Sequence, residues 1–230
     1  MRSTKLIALA LATLAALACA TVALAAEIQG TFADDALLGT SGDDTIESLS
    51  GDDIVRGRGG DDIIDAGSGD DTVEGDGECT DDLVRPYFCI PTTPNPGDDR
   101  ITGGSGRDFI KGNAGDDRIA GQGGDDDLRG GGGNDRVGGG SGQDVLFGNS
   151  RSDKLTGGGD DDRLIGGGGR DRITPGDGRD TVLAGRGDDT IFARGDRVRD
   201  RINCGRGIDT VFATSGDRVS RRTCERVRLP

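Results

Sequence analysis

An aspartate returns every nine residues along most of this chain, and an aliphatic side chain follows two places behind it. The aspartates are Asp35, Asp44, Asp53, Asp62 and Asp71, then Asp99, Asp108, Asp117, Asp126, Asp135, Asp144, Asp153, Asp162, Asp171, Asp180 and Asp189, then Asp200 and Asp209. The aliphatics are Leu37, Ile46, Val55, Ile64 and Val73, then Ile101, Ile110, Ile119, Leu128, Val137, Leu146, Leu155, Leu164, Ile173, Val182 and Ile191, then Ile202 and Val211. Chance does not hold two residue types in phase through eighteen units, and an acidic, Gly-rich linker does not phase its Ile and Val. Nine is not a helical period, and 44 glycines among so many aspartates suppress helix. Numbering each unit so that Asp is sixth and the aliphatic eighth, the reading is a Gly-Asp turn of about six residues. A strand of about three follows, with its middle residue facing inward.

Two breaks divide the array. The interval from Asp71 to Asp99 encloses a Cys- and Pro-rich insertion, in which Asp82-Leu83-Val84 resembles a decayed unit, and the interval from Asp189 to Asp200 is eleven. The expected organisation is a leader at 1–26, a first repeat block at 27–75, the insertion at 76–96 and the main block at 97–192. Two final repeats at 193–212 and a cap at 213–230 complete it. In the cap, Gly216-Asp217-Arg218-Val219 begins a unit that lacks the sixth-position Asp. The ends of stacked repeats need such a cap.

Composition excludes much. There is no His, which removes Ser-His-Asp and Cys-His nucleophiles and HExxH metal sites. Apolar residues make 32% and aromatics 3%, too few for a conventional core. A formal charge of −14 argues against nucleic acid and favours cations or a solvated surface. Arg2 and Lys5, the apolar run Leu6 to Ala20 and the small-x-small Ala23-Leu24-Ala25 read as a secretory signal peptide cut after Ala25 or Ala26. The rival readings are a membrane anchor or a lipid on Cys19, although nothing later resembles a span. Export makes the remaining Cys79, Cys89, Cys204 and Cys224 two disulfides. Three pairings are open; the local ones, Cys79–Cys89 and Cys204–Cys224, are expected.

The unit Gly103-Gly104-Ser105-Gly106-Arg107-Asp108-Phe109-Ile110-Lys111, and likewise Gly130 to Gly138, resembles the nonapeptide Gly-Gly-x-Gly-x-Asp-x-aliphatic-x of RTX (haemolysin-type) proteins. The resemblance covers about Gly30 to Phe212. It implies an all-β fold, a parallel β-roll with two units per coil, so that residue i stacks on residue i+18 and the aliphatics lie between two facing sheets. It also implies several calcium ions between successive turns, held by turn carbonyls and sixth-position carboxylates. The candidate ligands are Asp44, Asp53, Asp62, Asp71, Asp99, Asp108, Asp117, Asp126, Asp135, Asp144, Asp153, Asp162, Asp171, Asp180, Asp189 and Asp209. The residue types suit that chemistry, because calcium takes six to eight oxygens. Gly allows the positive φ that turns carbonyls inward. Ala33, Arg151, Asp160 and Val198 replace the fourth-position Gly and Leu49 a second-position Gly, so the pattern is cleanest in Gly39–Glu74 and Gly103–Phe147. The twelve-residue loop and terminal Glu of an EF-hand are absent.

Stacking at i+18 would also line up the outer faces. Arg100, Arg118, Arg136, Lys154 and Arg172 would form one column, either counter-charge for nearby Asp or a docking stripe for an anionic surface polymer. The other sheet would carry Phe109, Val145, Phe147, Ile165 and Leu183, an apolar exterior suited to self-association through Phe109, Phe147 and Leu183. Outside leader and repeats, neither the insertion nor the cap could house an active site. The expectation is a secreted, non-enzymatic calcium-binding protein with a structural or surface-interaction role. An adhesin or matrix component is the alternative, and a β-helix polysaccharide lyase or epimerase a more distant one.

Overall fold

A computed structural model describes residues 25–76, 97–194, 198–220 and 223–229. The leader, the insertion and the Cys79–Cys89 pair lie outside the described residues. Within them the chain is a β-solenoid of about ten coils without helix, built from twenty-one strands in two parallel sheets. Strands joining successive coils alternate between the sheets, so odd-numbered strands form an eleven-stranded sheet and even-numbered ones a ten-stranded sheet. Each strand pairs with the one eighteen residues on: Ile110 with Leu128, Leu128 with Leu146, Leu146 with Leu164. The two breaks leave this register intact, since Ile64 pairs with Ile101 and Val182 with Ile202. In the sequence the extra residues fall between Asp76 and Arg100 and between Ala193 and Arg201, outside the flanking strands.

The division of the unit differs from the sequence reading. A typical strand is Phe109–Ala114, six residues long, and it runs from the seventh position of one unit to the third of the next. Only positions four to six form the turn. The inward residues are therefore two per strand, the eighth-position aliphatic and the first-position residue after it. Glycine is a poor strand former in isolation, which is why the sequence suggests a long turn. Here a neighbouring backbone lies on both sides in register, and ladder bonds do not require a side chain: Gly131 pairs with both Asn113 and Asn149.

From Ile46 to Val211 the eighth-position series is buried, and it forms the core. Its ends are half-buried: Ile28 and Leu37 at one, Val219 and Val227 at the other. First positions add small side chains between the sheets, among them Ala66, Ala184 and Ala213. Cys204 is another such residue, and its disulfide to Cys224, with Cα atoms 5.2 Å apart, fastens the cap to the last coils. The apolar exterior of the ten-stranded sheet is half-buried. The Arg129 guanidinium lies over the rings of both Phe109 and Phe147, 4.9 and 5.3 Å from their centroids.

One aliphatic per unit leaves no redundancy. Leu146→Ala is expected to cost about 2–5 kcal/mol, read from urea unfolding of the calcium-loaded chain; a loss below about 1 kcal/mol would contradict the packing.

Candidate calcium sites in the stacked turns

The sixth-position aspartates fall into two columns, one along each edge of the roll. One begins Asp44, Asp62, Asp99, Asp117 and Asp135; the other begins Asp35, Asp53, Asp71, Asp108 and Asp126. Every predicted ligand, from Asp44 to Asp209, is buried, and so is Asp200, which the candidate set left out. Asp35, at the N-terminal end, is half-buried. The columns are built by a repeated bond. Oδ1 of each aspartate accepts the backbone N–H of the aspartate one coil earlier: Asp117 from Asp99 at 2.9 Å, Asp135 from Asp117 at 2.9 Å, Asp153 from Asp135 at 2.9 Å. The bond survives the two breaks, as Asp71 to Asp108 at 3.0 Å and Asp189 to Asp209 at 2.8 Å.

The second oxygen has a different fate. Oδ2 is buried without a hydrogen-bond donor at Asp53, Asp62, Asp71, Asp108, Asp117, Asp126, Asp135, Asp144, Asp153, Asp162, Asp171, Asp189 and Asp209. Where the first-position residue of its own unit is glycine, as at Gly57, Gly103 and Gly121, Oδ2 points at it. A Cβ added to Gly121 would collide with Asp126 Oδ2 and come 2.9 Å from the Gly139 carbonyl oxygen, so this small space is lined by a carboxylate and a carbonyl. The same holds for Gly103, Gly112 and Gly139. Among the described residues no three acidic or cysteine side chains converge. A cation here would take one or two carboxylate oxygens from the columns and the rest from turn carbonyls.

Burial without a donor has an electrostatic signature. Desolvation, opposed by the backbone N–H and reinforced by stacked carboxylates, raises the metal-free pKa values. Asp62, Asp108 and Asp117 are pushed up to about 7, and Asp153, between Asp135 and Asp171, to about 8. Asp71, Asp135 and Asp144 rise to about 6. Asp126 and Asp209 also rise, for the same first reason.

The ends differ. Thr31 at one turn and Thr40 at the next hold Oδ2 of Asp35 and Asp44 through their backbone N–H groups, and each hydroxyl also donates to the same carboxylate. Asp44, a predicted ligand, thus has protein donors on both oxygens. At the other end the cap corrects the sequence reading. Asp217 does occupy a sixth position: it accepts the Asp200 N–H, and the next residues pair Arg218 with Arg201 and Val219 with Ile202. Thr214 donates to its Oδ2 at 2.7 Å. Glu225 plays the same part for the Asp209 N–H at 2.9 Å.

Two further features escaped the sequence reading. Fifth-position residues form an exposed column of opposite sense, in which Asp61 accepts from Asp98 N–H and Asp98 from Asp116 N–H. The signal was there in the doubled aspartate of Gly-Asp-Asp. Three of the substituted turns also keep a positive φ: Leu49, Arg151 and Asp160 hold 79°, 78° and 76°, on the left-handed side that glycine takes at Gly106 and Gly124. Stacked neighbours impose it despite the local cost.

The family model for the RTX calcium-binding nonapeptide repeat matches this chain at 29–60, 38–73, 94–128, 102–137, 112–146, 138–173, 147–182 and 174–211. The chain belongs to the RTX repeat family. Comparison with curated proteins gives no match. The RTX assignment accounts for the phase of Asp and aliphatic, the parallel roll and the acidic columns together.

The raised pKa values predict a pH dependence. Unfolded aspartates titrate near about 3.9, while Asp62, Asp71, Asp108, Asp117, Asp135, Asp144 and Asp153 in the folded, metal-free chain are pushed up to about 6 to 8. The folded state therefore holds more protons. The stability this confers is full below pH about 4 and is lost as pH rises through the folded values. In chelator, circular dichroism should show more β-structure at pH 5 than at pH 8.5; the reverse order would refute the burial of these carboxylates as charged groups. Asp117→Asn keeps the Oδ1 acceptor and removes the charge. It should stabilise the chelated protein at pH 8 by about 1–2 kcal/mol, the scale of one pKa unit or slightly more, while lowering the number of calcium ions taken up in titration calorimetry.

Proposed function

We propose that this is an exported RTX protein whose β-roll forms when calcium enters between the stacked turns, and that it serves as a structural or surface-interaction module. The observation that carries the reading is the buried, donor-less Oδ2 of the sixth-position columns. Such oxygens cost free energy when charged and dry. A divalent cation answers that cost directly, and calcium prefers the carboxylate and carbonyl oxygens on offer. The ligands proposed are the thirteen aspartates named above for their donor-less Oδ2, with Asp99 and Asp180 in the same columns and Asp44 at the margin.

Charge points the same way. Seven divalent ions would neutralise the formal −14. With one inward aliphatic per unit, the hydrophobic term alone is thin. Binding that favours only the folded state adds about 2.7 kcal/mol per site when calcium is at 100 times its dissociation constant. Export supplies that calcium. Extracellular modules bind at roughly 0.1–1 mM, far above cytosolic levels, so a chain that stays loose inside the cell would order outside it. The leader-like segment Arg2 to Ala26 supports this route, and no helix among the described residues is long and apolar enough to cross a membrane. The absence of His and the burial of the sixth-position aspartates inside the roll support a non-enzymatic role.

The deciding measurement is far-UV circular dichroism of the whole chain, first in EDTA at pH 7.5 and then through a calcium titration. A cooperative gain of β-structure near about 0.1–1 mM calcium, reversed by chelator and not reproduced by magnesium, is expected. Identical folded spectra in EDTA and calcium would overturn the reading.

A further inference from the structure

The eleven-stranded sheet carries a column of five cations on its outer face. Register places Arg100 beside Arg118, Arg118 beside Arg136, Arg136 beside Lys154 and Lys154 beside Arg172, one on each successive strand. All five are exposed. The ion pairs among the described residues lie elsewhere, at Arg56–Glu74, Lys111–Glu74, Arg129–Asp127 and Arg170–Asp188. Arg136 feels Asp116 only as a weak, longer-range attraction. The column is therefore not paired with the protein's own carboxylates, although the chain has a large acidic excess. Like charges directly opposite on neighbouring strands destabilise a sheet, and here the repulsion is repeated four times over.

Beside the column runs a floor of small side chains two residues along each strand, Thr102, Ala120, Gly138 and Thr156. The stems of Arg100, Arg118, Arg136 and Lys154 and this floor line an open trough of about 330 Å³, with Arg172 next in the column beyond it. The column of cations stops at both ends. The strand before Arg100 presents Ile63 and Asp65 in the matching places. Beyond Thr174 the floor rises to Phe192, over whose ring Arg172 sits at 4.0 Å, and which stacks on Phe212 at 5.0 Å between centroids. Five rungs at the spacing of adjacent strands span about 19 Å.

We infer that this trough binds an extended acidic polysaccharide lying across the strands, with one sugar carboxylate facing each cation. The inference rests on the calcium-folded reading above, because the cations stand in line only while the coils are stacked. A uronic acid chain suits the site on three counts. It places one carboxylate per sugar at a repeat close to the strand spacing. Its narrow rings fit over a floor of Thr, Ala and Gly, with the Thr102 and Thr156 hydroxyls available to sugar hydroxyls. Arginine presents a planar fork that matches a carboxylate. Single-stranded nucleic acid would need aromatic platforms along the track, and the floor has none before Phe192. Calcium entry also removes the long-range repulsion that the acidic chain would otherwise offer to any polyanion.

The test uses the full chain in about 1 mM calcium with fluorescent pentagalacturonate, which is too short to gel with the ion. Maltopentaose and a thymidine oligonucleotide serve as comparisons, and circular dichroism is read on the same samples. Pentagalacturonate should bind, weaken with salt, and lose about tenfold or more in affinity, 1.4 kcal/mol, in Arg118→Gln/Arg136→Gln. It should be unchanged in Arg163→Gln/Arg201→Gln, which removes equal charge from the opposite sheet. The inference is overturned by equal binding of maltopentaose, by tighter binding of the oligonucleotide, or by equal affinity of the two double variants. A wild-type chain that gains its β spectrum in calcium yet ignores pentagalacturonate overturns this inference alone. One whose spectrum does not respond to calcium overturns the reading beneath it.

Discussion

The bond from each aspartate Oδ1 to the backbone N–H of the aspartate one coil earlier sets the geometry of this molecule. It fixes the turn height to the strand spacing and threads a hydrogen-bonded column along each edge of the roll. The same bond commits the second oxygen to the interior. A carboxylate that satisfies one lone pair with a neighbour's N–H and faces a first-position glycine with the other has no water to turn to. The arrangement is poorly matched to a metal-free protein near neutral pH and well matched to one with cations between its turns. The fold and the proposed calcium dependence thus rest on one set of side chains.

Small residues make this possible by what they leave vacant. At Gly106 the backbone is left-handed, and a side chain would strike the Gly69 carbonyl one coil away. The close approach is what brings carbonyls and carboxylates of successive turns together. Where the array lapses from glycine, as at Arg151 and Asp160, the stack enforces the left-handed turn anyway. Local propensity in such a solenoid is subordinate to the neighbours above and below, each of which supplies half of every strand's partners.

That hierarchy explains which parts of the structure were legible in the sequence. The phase of Asp44, Ile46 and their successors was legible because it marks inward positions, and inward positions tolerate little change. The i+18 register, the core and the burial of the acidic columns followed from it once the RTX resemblance supplied two units per coil. The strand length was not legible. Residues such as Gly112 and Asn113 enter a strand only because Gly130 and Gly131 lie beside them, and no local signal records that. The cap was misread for a related reason: Asp217 and Glu225 stand seventeen and sixteen residues beyond their partners Asp200 and Asp209, off the spacing that defined the repeat. Thr31, Thr40 and Thr214 went unnoticed because a threonine in a turn is ordinary until an aspartate is seen to lie within reach of it.

The threonines and the cap divide the roll into two kinds of turn. At Thr31–Asp35, Thr40–Asp44 and Thr214–Asp217 the protein satisfies its own carboxylates, and Cys204–Cys224 fastens the last coils covalently. Between these ends the columns are left with bare oxygens. A solenoid whose ends needed calcium as much as its middle would fray at each terminal ion, because a terminal site lacks the coil that completes it. Self-satisfied ends would remove that weakness and confine the proposed ions to turns with a neighbour on both sides. Uptake in the interior then stabilises adjacent sites together, since each ion orders the turn that the next one shares. The sequence thus places its threonines where cation binding would be least cooperative and its glycine-lined aspartates where it would be most so.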